Sequence, residues 1–150
     1  MKNLFVLLFF FISSNLYAFE IKLEKIVDSL GKPWSLSFID SDSVIITEKS
    51  GKLYFLNLIE KKIFNIEHNL SVLEVGQGGL LDVLYDNKQI YISYSENRGD
   101  WKSSTSVAKG EFNKKNIKFQ NIFRAEPPID SGYHFGSRLV IKDKNLYITA

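Results

Sequence analysis

The 150-residue chain contains no cysteine. That absence excludes both a disulfide framework and a lipid-bearing N-terminal cysteine. The chain also lacks an excess of one charge. Its 19 Lys and Arg face 17 Asp and Glu, for a formal net charge of +2. Without residues 1–18 only Lys2 is lost, which leaves about +1, too balanced to argue for a nucleic-acid partner. No apolar run is long. Leu4–Ile12 is nine residues, short of the about 20 that a membrane span needs. There is no Gly/Ser linker and no low-complexity tract, and the length suits one ordinary domain. No stretch after residue 18 sustains a helical apolar face. No cluster of carboxylates and carbonyls offers the six to eight oxygens of a calcium site, so no residue is assigned to a metal.

What the N-terminus does have is a layout. Lys2 supplies a positive start, Leu4–Ile12 an apolar centre, and Ser13–Ala18 a more polar run ending in a small residue. That order predicts a secretory signal peptide over residues 1–18, cut after Ala18. The mature chain, residues 19–150, is then expected in the periplasm or secreted, with no membrane attachment after cleavage.

The remainder reads as β. Val44-Ile-Ile-Thr47, Leu53-Tyr-Phe-Leu56, Ile90-Tyr-Ile-Ser93 and Leu146-Tyr-Ile-Thr149 are short runs dense in β-branched and aromatic residues. Turn residues bound each of them, as at Asp40–Ser43, Ser50-Gly51, Asp86-Asn87 and Lys142–Asn145. One unit recurs: an apolar strand, a polar turn, then a second strand ending in Thr or Ser. It occupies Trp34–Thr47, Leu80–Ser93 and Arg138–Thr149. Its end points Thr47, Ser93 and Thr149 are 46 and 56 residues apart, and the longer interval predicts an inserted loop around Glu96–Ser103. Repeats of about 40–50 residues suit four-stranded propeller blades; a β-sandwich with irregular strand spacing is the alternative.

Two histidines are present. His134 sits in Asp130-Ser-Gly-Tyr-His-Phe-Gly136, a glycine-rich loop just before the apolar run Leu139–Ile141. Loops on a rigid scaffold carry much of a protein's chemistry, and a neutral imidazole can accept a hydroxyl proton. The other reading is a polar turn residue. Asp130 either orients His134 or shapes the turn. Gln77, in Gly76-Gln-Gly-Gly79, has an amide that can donate and accept; alternatively it orders its own turn. Arg138 reads as an ion-pair partner within a blade, or as a carboxylate fork. Trp34 reads as a core residue beneath the first blade, with an aromatic face near a ligand as the second reading. His68 has no glycine-rich frame and is given no role. Glu96–Asp100 reads as a solvated loop.

Several of these motifs occur together in one known family. Gly31-Lys-Pro-Trp-Ser-Leu-Ser-Phe38, Val44–Glu48 with Gly51-Lys-Leu53, Gly76-Gln-Gly-Gly-Leu-Leu-Asp-Val83, Tyr91–Ser95, Ile122–Pro127 and Asp130–Ile141 resemble, in the same order, the soluble quinoprotein sugar dehydrogenases. This is the glucose/sorbosone dehydrogenase family. The resemblance implies an all-β fold, a six-bladed propeller of four-stranded antiparallel blades. The chain would then hold about the first two blades and the start of a third. It also implies pyrroloquinoline quinone (PQQ) and calcium as cofactors and an aldose sugar as substrate. His134 matches the family's general base, which takes the anomeric hydroxyl proton while hydride passes from C1 to the quinone. Gln77 matches a cofactor contact.

The resemblance further places the calcium ligands and the basic residues that grip the quinone carboxylates in later blades. Two expectations follow. The chain is an inactive, truncated piece of a PQQ-dependent sugar dehydrogenase, with a second chain as one source of the remaining blades. Or it is a non-catalytic propeller segment that acts as a binding or scaffold module.

Overall fold

The computed structural model describes residues 20–150. The expected signal peptide and its cleavage point lie outside the described residues. Eleven strands and no helix are formed among them. The first blade is a meander of β1 (Pro33–Asp40), β2 (Ser43–Glu48), β3 (Leu53–Asn57) and β4 (Lys62–His68), paired antiparallel in chain order. The second is β5 (Leu80–Asp86), β6 (Gln89–Asn97), β7 (Ser103–Glu111) and β9 (Gln120–Arg124). Between β7 and β9, the two-residue β8 (Asn116–Ile117) crosses back and pairs parallel with β4. A third unit, β10 (Leu139–Lys142) with β11 (Asn145–Ile148), is a single hairpin.

These are the three repeated strand pairs of the sequence, now each the inner hairpin of a blade. The turns have local causes. Asn87 and Lys88 both have positive φ, as do Asp143 and Lys144. That is the two-residue type I′ geometry whose twist matches antiparallel strands. Between β1 and β2, the Asp40 carboxylate accepts the Asp42 amide and the Ser43 hydroxyl.

The expected inserted loop at Glu96–Ser103 is corrected. Glu96 and Asn97 belong to β6 and Ser103 to β7, so the connection is only residues 98–102. The extra length is spread over longer β6 and β7 strands, the 112–119 connection that carries β8, and the 125–138 link to the third unit.

The core lies between blades. Ile45, Leu53, Phe55 and Ile66 of the first blade pack against Leu80, Val83, Ile90, Ile92, Tyr94 and Ala108 of the second. The opposite face of the first blade buries Val44, Ile46 and Leu56 beneath Ile26, Val27 and Leu30. All six residues of β2 are therefore buried, which explains why Val44–Thr47 is a continuous apolar run rather than an alternating one. Antiparallel blades stacked face to face in chain order are a β-propeller, and the described chain forms part of one.

Candidate active site

Three loops of successive blades meet where the inner strands begin. The first is the β2–β3 turn, anchored by buried Glu48, whose carboxylate accepts the Gly31 and Lys32 amides. The second is Gly76–Gly79, before β5. The third is Asp130–Ser137, before β10. The second loop touches both others closely. Leu80 N–H donates to the Lys49 carbonyl (3.2 Å), and Gln77 N–H donates to the Gly132 carbonyl (2.7 Å). A Cβ at Gly76, where φ is +56°, would collide with that Gly132 carbonyl. This close approach is why glycine stands there.

The structure brings Gln77 and His134 together. Gln77 Oε1 accepts the His134 backbone N–H at 3.0 Å, across 57 residues of sequence. Both side chains line a cleft of about 400 Å³ with Trp34, Leu81, Phe135 and Ser137. His134 has a positive φ of 63°, and its imidazole is exposed beside the Tyr133 ring (centroids 6.3 Å apart). The backbone under it is fixed. Thr105 Oγ1 donates to the Phe135 carbonyl at 2.7 Å, and Ser137 N–H donates to the Thr149 carbonyl at 2.7 Å.

A recurrent hydroxyl explains the Thr or Ser that ends each repeat. Thr47 Oγ1 accepts the Ser35 amide in its own blade and donates to the Leu81 carbonyl of the next. Ser93 Oγ accepts the Asp82 amide and donates to the Ser137 carbonyl. Thr149 Oγ1 accepts the Arg138 amide. Ser35, Asp82 and Arg138 are thus equivalent positions in three blades. So are their predecessors Trp34, Leu81 and Ser137, and all three of those line the same cleft.

Other expectations are corrected. Trp34 is not a core residue; it is 47% exposed and faces the cleft. Glu96 is not in a solvated loop. It is 8% exposed and accepts from Arg124 Nε and Nη2 (both 2.8 Å), Ser106 Oγ (2.7 Å) and Asn121 Nδ2 (3.0 Å). Burial pushes its carboxyl up, but the Arg124 and Ser106 hydrogen bonds and the charge of Arg124 outweigh that and hold it below the usual glutamate range. Arg138 does form an ion pair, but between blades, with Asp82 at 3.2 Å. Asp130 makes no hydrogen bond to His134 among the described residues; Ser131 Oγ, accepting the Tyr133 amide, shapes that turn.

His68 is elsewhere, beside a larger cleft of about 490 Å³ on the first blade. Its Nε2 lies 2.7 Å from the Gly51 carbonyl and its Nδ1 accepts the Leu70 amide. A carbonyl only accepts, so Nε2 carries the proton, and the ring is a structural bridge with both nitrogens committed. Asp82 was missed by sequence reading. It sits in an apolar run, Leu80–Leu84, whose only polar member it is; an acid in such a run is the signal that could have found it.

A β-propeller with a loop-built cleft where its inner strands begin is the class that fold and site define. Residues 30–150 match the family model described as Glucose / Sorbosone dehydrogenase, and the chain belongs to that family. Aldose sugar dehydrogenase YliI of Escherichia coli (strain K12) is 33% identical over 150 residues, covering 93% of this chain and 40% of the relative. A glucose dehydrogenase crystal structure superposes with a TM-score of 0.77 at 31% identity, over 83% of this chain and 39% of that one. The PQQ-bound form of an aldose sugar dehydrogenase from Streptomyces coelicolor shares the fold, with a TM-score of 0.72 at 16% identity over 84% of this chain and 40% of that one. The chain thus spans about two fifths of the length of these relatives.

Proposed function

We propose that this chain supplies one part of the active site of a PQQ-dependent aldose sugar dehydrogenase. The observation that supports it most is the 3.0 Å bond from His134 N–H to Gln77 Oε1, which sets both family-matched side chains in one cleft. His134 is the general base: its exposed imidazole takes the proton of the sugar's anomeric hydroxyl. A quinone bound beside it would supply the acceptor for the hydride of C1, and Gln77 is the residue of this chain that would contact it. Gln77 spends its carbonyl on the His134 amide. Its NH₂ group keeps two donors for an acceptor edge such as a quinone carbonyl. Among the described residues no three His, Cys, Asp or Glu side chains converge as a metal site. We expect the chain alone, which spans about two fifths of the relatives' length, to turn over no sugar.

The test joins this chain to the later blades of the E. coli relative and measures dye-linked glucose oxidation with excess PQQ. His134→Ala is expected to lower turnover by about 100- to 10,000-fold while quinone binding persists. Gln77→Ala is expected to weaken quinone binding, because a cofactor contact acts in the ground state as well. Near-normal turnover by His134→Ala refutes the base. The same product, expressed with residues 1–18, should be recovered from the periplasm with a mass beginning at Phe19.

A further inference from the structure

We infer that Thr105 is the positioning residue of the candidate base: its hydroxyl, on β7, holds His134 in the backbone conformation that presents the imidazole to the cleft. This rests on the reading of His134 as general base. His134 has a φ of 63°, Gly136 of 58° and Ser137 of 85°. Three of the residues 134–137 are therefore left-handed, and Gly136 alone is so without a Cβ cost. A residue with a side chain keeps that conformation where its surroundings over-determine it. Ser137 is held on both sides, by the Thr149 carbonyl (2.7 Å) and by Ser93 Oγ (2.6 Å). Among the described residues, the backbone of His134 and Phe135 is held by two hydrogen bonds, both from side chains. Gln77 Oε1 accepts the His134 amide (3.0 Å), and Thr105 Oγ1 donates to the Phe135 carbonyl (2.7 Å).

The two anchors differ in stiffness. Gln77 reaches out from a glycine-rich loop. Thr105 is buried on β7, opposite Ser95 of β6, and its own carbonyl accepts the Ala125 amide (2.8 Å). A β-branched side chain in a strand has few χ1 choices, so its hydroxyl is a rigid donor. The Phe135 ring is fixed as well: a Cβ at Gly78 would come within 2.9 Å of it. With ring and carbonyl of Phe135 both held, the residue before it has little backbone freedom. Among the described residues the hydrogen bonding of His134 is confined to its backbone. An imidazole is commonly oriented by a partner on its second nitrogen; here the orientation comes through the backbone, and Thr105 supplies it. Successive strand residues face opposite ways. The neighbouring Ser106, also buried, gives its hydroxyl to Glu96 (2.7 Å), away from the cleft.

The test takes its kinetics from this chain joined to the later blades of the E. coli relative, and its backbone geometry from the chain alone. Thr105→Val keeps the shape and removes the donor. It should lower kcat about 10- to 100-fold, as misplacement of a reacting group does. The KM for glucose and the Kd for PQQ should stay within about twofold of wild type, and Thr105→Ser should restore kcat to within about threefold. Ser106→Ala removes a buried hydroxyl on the other face of the same strand. It should leave kcat within about twofold of wild type even where it lowers the urea midpoint. In the chain alone, the vicinal amide–Hα coupling of His134 should show the left-handed geometry lost in Thr105→Val and regained in Thr105→Ser. Should Thr105→Val not fold, Thr105→Cys takes its place with the same expected losses, since a thiol is a weak donor. Wild-type turnover by the Thr105 variant, with His134→Ala inactive, overturns this inference and leaves the base standing. Equal losses of kcat in the Thr105 variant and Ser106→Ala make Thr105 a merely structural residue and overturn it too. Near-normal turnover by His134→Ala overturns the base and this inference with it.

Discussion

Asp82 ties three blades at one carboxylate. Oδ1 accepts the Ser35 hydroxyl of the first blade (2.6 Å) and Arg138 of the third (3.2 Å), and Oδ2 accepts the Leu139 amide (2.8 Å). The Arg138 side chain is 72% exposed, so that pair contributes little; the buried Leu139 amide matters more. Asp82→Ala leaves that amide unpaired, which should cost about 1–3 kcal/mol. Urea unfolding checks the cost, and hydrogen exchange at Leu139 should quicken most. Unchanged stability and unchanged Leu139 exchange would show that the carboxylate is not what docks the third hairpin. At this scale the sequence was readable where chemistry is local and opaque where it is not. His134 and Gln77 stood out by their glycine-rich loops. Glu96 and Asp82 did not show their surroundings, because Glu96 is held by Arg124, 28 positions on, and Asp82 holds the Leu139 amide, 57 positions on. An indole next to Pro33 reads as core until the Gly76–Gly79 loop beside it and the Lys49 ammonium, 5.7 Å from its ring centroid, are in place.

The blade-ending hydroxyl is a device of whole elements. In the first two blades the second strand uses one Oγ to accept an amide of its own inner strand and to donate to the carbonyl at the start of the next. Thr47 does this to Leu81 and Ser93 to Ser137. Thr47→Val keeps shape and removes both bonds, and should destabilise the chain by about 1–2 kcal/mol in urea or thermal unfolding. Ser93→Ala should do the same and should loosen the 134–137 backbone that carries the candidate base. If Thr47→Val is as stable as wild type, the link between blades is apolar packing alone. The strand pairs were legible because strict β patterns and turn residues repeat at every blade. The distribution of the extra residues in the second repeat was not. β8 is only two residues, and its parallel pairing with β4 depends on a neighbour blade that no local pattern describes.

Across the whole molecule, burial is directional. Ser35, Ser37 and Ile39 of β1 turn toward the second blade: Ser35 reaches Asp82, Ser37 Oγ accepts the Tyr85 amide, and Ile39 joins the interblade core. The alternate residues Trp34, Leu36 and Phe38 are 47%, 55% and 60% exposed. At the far end of the stack, Val140 and Tyr147 are 54% and 55% exposed on the third hairpin. Single exposed apolar residues are ordinary, but a row of three on one strand face is a patch that marks an interaction surface. In a propeller such faces are covered by neighbouring blades. The chain by itself should therefore bind an apolar dye such as ANS, and joining it to the later blades of the E. coli relative should abolish most of that signal. Leu36→Lys with Phe38→Lys should lower the dye emission of the chain severalfold without lowering its urea midpoint, because neither side chain contributes to the interblade core. In the joined protein the same double substitution should destabilise, since it puts two charges where apolar cover is expected. Dye emission from the chain that is indifferent to the double substitution, together with unchanged stability of the joined protein, would show that this face is not where the propeller closes.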